Sequence, residues 1–317
     1  MDTFLQPADP LGEALHFLRM SGSYYARCEF SAPWALELPA FPGTLMFHVV
    51  TSGSCTMVVP GAEPRALRPG GLALVPHGQG HRLESEAIAP GIGLFEVPRE
   101  EVSDRYELLR IDGGGDPVTL ICGVVRFDHP AGRYLMGILP RLIVLDSDTP
   151  LQQEWLQSTV RLMAHEARTL LPGGETVITR LADVLVIQAI RSWLEGDPEA
   201  RAGWLGAMRD PQIGRAINHI HRSPGQEWTV ARLAHEVAMS RSAFSARFTN
   251  LVGEPPMQYV ARWRMLVARS MLAEGTAALA EIADKLGYRS EAAFSRAFKR
   301  ETGMSPGVAR ATARASS

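Results

Sequence analysis

Between about residues 20 and 130, apolar residues come in short runs or alternate with polar ones, and the runs are rich in Val and Leu. Examples are LMFHVVTSG (45–53), CTMVVPG (55–61), LALVPHG (72–78) and VTLICGVVRFD (118–128). Pro60-Gly61, Pro69-Gly70-Gly71 and Gly113-Gly114-Gly115 punctuate them. A period of two, or a brief solid apolar run, suits a strand buried on one or both faces, and Gly/Pro clusters supply the turns. Many short strands with such turns predict an antiparallel sandwich or barrel.

After Pro150 the period becomes helical. Residues 151–171 place Leu151, Trp155, Val160, Met163 and Leu170 at helical spacings, and Pro172-Gly173-Gly174 ends the segment. Residues 175–195 predict a second helix, apolar over much of its circumference through Val177, Ile178, Leu181, Val184, Leu185, Val186, Ile187, Ile190 and Leu194. A short turn between two helices predicts an antiparallel pair. So apolar a helix must be covered on more than one side, by the β domain, by a second copy of the chain, or by both. From Asp210 onward the chain reads as helical throughout, with Asp210 as a cap, Pro211 in the first turn and Ser223-Pro224-Gly225 as a stop.

This last region contains a repeat. TVARLAHEVAMSRSAFSARFTNLVGEPP (229–256) aligns with ALAEIADKLGYRSEAAFSRAFKRETGMSP (278–306). Leu233-Ala234 matches Ile282-Ala283 at an offset of 49, whereas Ser240/Ser290, Phe244/Phe294, Phe248/Phe298 and Gly253/Gly303 match at 50. One residue is therefore inserted between the two helices of the second copy. Each copy has a first helix with an apolar residue beside a small Ala, a short turn, a Ser cap, and a second helix with Phe at i and i+4. That is the anatomy of a helix-turn-helix. With the Phe pair inward, the opposite face presents Arg241, Ser242, Ser245 and Ala246 in the first copy. The second copy presents Glu291, Ala292, Ser295, Arg296 and Lys299. Small and polar residues with an occasional Arg suit a helix entering the major groove.

Residues 256–274 join the copies as one predicted helix, roughly 28–30 Å long at 1.5 Å per residue. Successive major grooves on one face of DNA lie ~34 Å apart, so this strut would let one chain address two adjacent grooves. Arg262, Arg264 and Arg269 on it are candidates for phosphate contacts or for plain surface charge.

Charge sharpens this picture. Residues 210–317 carry 15 basic and 9 acidic side chains, and residues 1–209 carry 17 and 25, so the net charge of −2 hides a basic third joined to an acidic remainder. A nucleic-acid binder with a separate sensing domain has this footprint. No apolar run is long enough for a membrane span, and the first residues lack a signal-peptide pattern. Three cysteines (Cys28, Cys55, Cys122) make no disulfide framework, which fits a reducing compartment, and the expected location is the cytoplasm.

The paired units, the strut and the segment IADKLGYRSEAAFSRAFKRETGMSP (282–306) resemble the AraC/XylS family of bacterial transcription regulators over about 210–310. The resemblance implies base-reading positions on Ser242, Ser245 and Ala246, and on Glu291, Ala292, Ser295 and Arg296. Arg241, Arg247, Arg289 and Lys299 complete the expected DNA contacts. The N-terminal part resembles the cupin-type sensing domain of one AraC subgroup, through SAPWALELP (31–39), FHVVTSG (47–53), GGLALVPHGQGH (70–81), ICGVVRFD (121–128) and RLADVLVIQAIRSWL (180–194). In the second cupin motif, matched by Gly71 to His81, the His is usually a metal ligand. The first motif normally brings two His and a Glu, and here only His48 stands in that place, so a facial ligand set is incomplete.

His48, His77, His81 and Cys122 are the expected ligand-binding residues of the barrel, with His48, His81 and Cys122 as candidate metal ligands. Histidines hydrogen-bonded in a polar pocket are the weightier alternative. The fold expected is α+β and multidomain. It has a cupin-like antiparallel β-barrel (1–145), a helical pair for packing or dimerisation (150–196), and an all-α double helix-turn-helix domain (208–310). The function expected is a sequence-specific transcription regulator without enzymatic activity and requiring no cofactor, with a small molecule or metal in the barrel as effector. Its partners would be double-stranded DNA at adjacent major grooves, a second copy of the chain and RNA polymerase, with no membrane. The alternative is a metal-dependent cupin enzyme carrying a DNA-binding domain.

Overall fold

The computed structural model describes residues 20–85, 90–127, 136, 139–145, 150–169, 171–196, 206–275 and 277–315. The helix position expected at Leu170, the first 19 residues and the link 197–205 lie outside them. The described residues form two compact units, one of 20–145 with 150–196 and one of 206–315.

The first unit is a two-sheet β structure. In chain order its strands are β1 (Met20–Ser31), β2 (Ala35–Leu38), β3 (Thr44–Ser52), β4 (Cys55–Val58), β5 (Arg65–Leu67) and β6 (Leu72–Val75). They continue with β7 (His81–Glu84), β8 (Gly91–Gly93), β9 (Arg99–Ser103), β10 (Tyr106–Asp112), β11 (Pro117–Phe127) and β12 (Ile143–Leu145). One sheet has the order β12-β6-β3-β11-β1-β10-β9 and the other β5-β4-β7-β2-β8. Most pairs are antiparallel, but β1/β10 and β2/β8 are parallel. The expected antiparallel barrel thus holds for most of its ladders, with two parallel pairs added to it. Each of these pairs is separated by a long excursion rather than a hairpin, so the chain can return in the same direction. Alternate residues of facing strands, among them Cys28, Leu36, Met46, Met57, Val75, Leu83 and Leu120, share one core between the sheets.

Helices α1 (Pro150–Thr169) and α2 (Gly174–Gly196) belong to this unit. They pack on each other, α1 against β3 and α2 against β6 and β12. The Tyr106 hydroxyl donates to the Ala167 carbonyl at 3.0 Å. Seven consecutive residues of β3 are consequently buried on both faces. Ile178, Ala182, Leu185, Val186, Ala189 and Ile190 of α2 face inward, whereas Val177 and Val184 stay exposed.

The second unit is all-helical: α3 (Pro211–Arg222), α4 (Val230–Glu236), α5 (Arg241–Val252), α6 (Pro256–Glu274), α7 (Leu279–Lys285), α8 (Glu291–Thr302) and α9 (Pro306–Ala315). The Asp210 carboxylate accepts from the Gln212 and Ile213 amides and starts α3. Gly253, Gly275 and Gly303 end α5, α6 and α8 in the left-handed conformation. Leu233, Ala234, Phe244 and Phe248 are fully or almost fully buried, and so are their counterparts Ile282, Ala283, Phe294 and Phe298. The repeat therefore holds in three dimensions.

Candidate DNA interface and barrel cavity

In both helix-turn-helix units the turn is closed by the same backbone bond: the Met239 amide donates to the Ala234 carbonyl and the Tyr288 amide to that of Ala283, each at 2.9 Å. These bonds keep the offset of 49 through Tyr288, while the caps Ser240 and Ser290 keep 50. The inserted residue is thus Arg289, which is exposed. Each cap hydroxyl accepts from the amide three residues on, Ala243 or Ala293, at 3.2 Å. Burying the two Phe fixes the roll of each recognition helix. Arg241, Ser242, Ala246 and Arg247 of α5 are exposed and Ser245 is half-buried. Glu291, Ala292, Arg296 and Lys299 of α8 are exposed and Ser295 is half-buried.

Arg247 differs from the other candidate contacts. Its guanidinium sits 2.5 Å from the carboxylate of Asp210, which is the cap of α3, and 3.4 Å from the Gln212 side-chain oxygen. On the strut, Arg262 pairs with Glu254 and lies over the Tyr259 ring. Arg264 is a donor to the carbonyls of Pro224 and Gln226. Only Arg269 of the three strut arginines is exposed.

In the first unit, β3 and β11 are paired with His48 directly opposite Cys122. The turn before β7 aims His81 at them from the other sheet. That turn needs Gly78, at φ +58°, because a Cβ there would lie 2.1 Å from the Phe41 carbonyl oxygen. His81 Nδ1 lies 3.0 Å from the Gln79 carbonyl, His81 Nε2 is 2.8 Å from His48 Nε2, and His48 Nδ1 is 3.0 Å from Cys122 Sγ. Cys28 Sγ lies 3.8 Å from Cys122 Sγ.

The protons of this chain follow from its end. A carbonyl can only accept, so His81 carries its proton on Nδ1. Burial lowers the pKa of His48 well below the usual imidazole value, with the neighbouring His81 adding to the effect. Burial also lowers that of His81, against the opposing hydrogen bond to Gln79. Both rings are therefore neutral at pH 7, and His81 Nε2 is an acceptor. His48 Nε2–H donates to it, leaving His48 Nδ1 to accept from the Cys122 thiol. That thiol is held protonated by its hydrogen bond with Cys28 and by burial, and the Cys28 thiol donates to its sulfur. Each proton has one place.

This geometry does not fit a metal held by His48, His81 and Cys122. The two imidazoles face each other through Nε2, but Cys122 sits on the opposite ring nitrogen of His48. Among the described residues no group of three His, Cys, Asp or Glu is placed to hold a metal ion. His77 does not join the others either, because its Nε2 donates to the Leu139 carbonyl at 2.8 Å. Sequence reasoning missed Cys28, whose only signal was its alternation with Ala26 and Phe30 on one strand face.

His48, Cys28 and Cys122 line a cavity of about 380 Å³ between the sheets. Its walls are largely apolar, with Leu36, Met46 and Leu109 among them. Tyr24, Arg99, Glu107 and Arg126 also line it. Arg99 is 3.4 Å from Glu107 and lies 5.8 Å from the centre of the exposed Phe95 ring. Tyr24 is hydrogen-bonded to Glu107, and its pKa is raised by burial and by that carboxylate.

Comparison with known proteins agrees with both halves. The cupin family matches residues 9–195, and the helix-turn-helix domain family matches residues 233–312. A putative AraC-like transcription regulator of Streptomyces lividans is 36% identical over 302 residues, covering 94% of this chain and 97% of that protein. The HTH-type transcriptional regulator AlkR of Acinetobacter baylyi is 28% identical over 305 residues, covering 94% of this chain and 97% of its own length. Among solved structures, the DNA-binding domain of AdpA in complex with a target DNA is 32% identical, covering 32% of this chain and 91% of that one at a TM-score of 0.31. The chain belongs to the AraC-like transcription regulators, with a cupin N-terminal domain and a C-terminal helix-turn-helix domain.

Proposed function

We propose that this regulator reads a two-part DNA site by placing α5 and α8 in adjacent major grooves, and that a small molecule in the barrel cavity controls it. The observation that carries the DNA reading is the duplicated placement of two fully buried Phe under each recognition helix, which turns Ser242, Ser245 and Ala246, and Glu291, Ala292, Ser295 and Arg296, outward. Arg241, Arg289 and Lys299 lie beside them as phosphate or base contacts. In the complex Arg247 helps hold α5 against the cap of α3, and its second role is at the DNA backbone. The test is selection of bound duplexes from a random library by the full chain, followed by titration of the selected site at several salt concentrations. A bipartite site and a steep salt dependence are expected. A single unrepeated half-site overturns the two-groove reading.

The barrel acts as a sensor rather than a catalyst. Support comes from an apolar cavity of ligand size and from nearly full-length relatives named as transcription regulators. His48 and Cys122 belong to its wall, His81 stands behind His48 as its hydrogen-bond partner, and His77 stands outside it. Metal analysis of purified protein tests this: stoichiometric iron together with turnover of a substrate favours the enzyme. The protein works in the cytoplasm as a homodimer. Its dimer surface is the exposed stripe of Val177 and Val184 on α2, with the half-buried Leu181 between them. RNA polymerase is the expected partner at promoters.

A further inference from the structure

The strut α6 serves two cores in succession. Tyr259 and Trp263 pack with His221 and Phe248 in the first helix-turn-helix unit; the His221 and Trp263 rings stack at 3.6 Å, and His221 Nε2 is 2.7 Å from the Tyr259 hydroxyl. Met265, Ala268 and Leu272 instead join Ile282, Leu286, Phe294 and Phe298 in the second. Arg264 stands at the changeover. Its Nε–H donates to the Pro224 carbonyl at 2.7 Å and its Nη2–H to the Gln226 carbonyl at 2.9 Å, bracketing Gly225 in the loop between α3 and α4. The same guanidinium lies 5.6 Å from the centre of the Tyr288 ring, in the turn of the second unit.

Beneath it the two units touch backbone to backbone. A Cβ at Gly225 would lie 2.3 Å from the Lys285 carbonyl oxygen, and one at Gly287 would lie 2.2 Å from the Gly225 carbonyl oxygen. Gly287 also has φ +71°. Neither position accepts a side chain without the units separating. A single helix fixes the axial distance between two attached bodies, but it resists their rotation about its axis only through the packing along it. A second contact off the axis removes that freedom, and the Gly225–Gly287 seam is such a contact.

We propose that Arg264 is a positioning residue that locks the two recognition helices in one mutual orientation, so that the seam it clamps sets the spacing of the DNA site. The proposal rests on the two-groove reading above. It assigns Arg264 to the protein interior rather than to the phosphate backbone. Lysine cannot replace it, because the bracket needs two diverging donors on a flat group that also faces the Tyr288 ring.

The experiment uses the full chain and three duplexes: the site selected from a random library, the same site with one base pair inserted between its halves, and a duplex with one half only. The wild-type chain is expected to lose about tenfold or more on the inserted duplex, because one added base pair rotates the second groove away. Arg264→Ala is expected to cut that discrimination to about twofold while leaving half-site affinity and the salt slope unchanged. Arg264→Lys should behave like the alanine variant. Gly225→Ala, which forces the seam without touching Arg264, should do the same and carries the test if circular dichroism shows Arg264→Ala unfolded. Full discrimination in folded Arg264→Ala and in Gly225→Ala overturns the clamp alone. A uniform loss on every duplex with a salt slope lower by about one reassigns Arg264 to a phosphate and also overturns it. A wild-type chain indifferent to the inserted base pair overturns the two-groove reading, and the clamp with it.

Discussion

His48 and His81 meet across the two sheets of the barrel through their Nε2 atoms, 2.8 Å apart, and each ring is held neutral by burial. The acid sensitivity of the barrel follows from that pair. In the unfolded chain both imidazoles return to an ordinary pKa of about 6.5. Below that value the unfolded state binds protons that the folded state refuses, so stability falls as the pH falls. It is complete above the unfolded value and is lost from about pH 6.5 downward, toward the lowered folded values. Thermal melting of the full chain between pH 8 and pH 5 should show a falling midpoint for the β unit. His48→Gln should flatten the dependence; an unchanged slope in that variant removes the pair as its cause.

Arg296 and Arg247 are expected to separate base reading from scaffolding. Arg296 is exposed on α8 with Glu291 and Ala292 on the same outward side, whereas Arg247 is held by Asp210 at the start of α3. Arg296→Ala should lower affinity for the selected site by about 1–3 kcal/mol and relax preference at one base position. Arg247→Ala should cost at most about 1 kcal/mol of stability, since the arginine is 48% exposed and solvent screens the pair. Its affinity loss should be alike on all sequences. Fluorescence anisotropy on the selected site and single-base variants reads both, and equal losses on every duplex for Arg296→Ala would reassign it to the phosphate backbone.

Much of the C-terminal unit was legible because its signals are local. Phe244/Phe248 and Phe294/Phe298 repeat at four residues, Ser240 and Ser290 precede them, and Pro256 with Gly275 brackets the strut at the ends the structure gives it. What escaped depends on partners distant in the chain. Nothing near Arg247 or Arg264 announces Asp210, Pro224 or Tyr288. The chain from Cys28 to His81 requires the register of β1, β3 and β11 and a crossing to the second sheet. The parallel pairing of β1 with β10 was likewise hidden, because alternation reports which face is buried and not which way the neighbour runs. His77 and His81 flank one turn, yet only His81 begins a strand that points between the sheets, so proximity in sequence misled there.

The two turns differ in one residue whose cost is measurable. Gly287 takes φ +71° in the second unit, and the residue aligned with it at offset 49, Ala238, takes φ +54° in the first. A Cβ in the left-handed region costs roughly 1–2 kcal/mol, part of which glycine gives back through the greater freedom of its unfolded chain. Ala238→Gly should therefore stabilise the helical unit by about 0.5–1 kcal/mol. Urea unfolding followed by tryptophan fluorescence checks it, and a lower midpoint would mean that the alanine methyl makes a packing contact worth more than the strain.

The outer side of α2 gives the last expectation. Val177 and Val184 are 37% and 44% exposed, two helical turns apart, while the neighbouring Leu185 and Val186 are buried. A helix this apolar leaves a stripe that stays exposed among the described residues, and the proposed dimer would bury it. Val184→Glu places a charge in that stripe without entering the monomer core. The variant should keep the melting behaviour of its isolated fold and sediment as a monomer at concentrations where the wild-type chain is expected to sediment as a dimer. It should also lose affinity for paired sites more than for single ones, because two linked domains raise each other's effective concentration at the DNA. A dimer that survives Val184→Glu with unchanged affinity would place the interface on another face of the molecule.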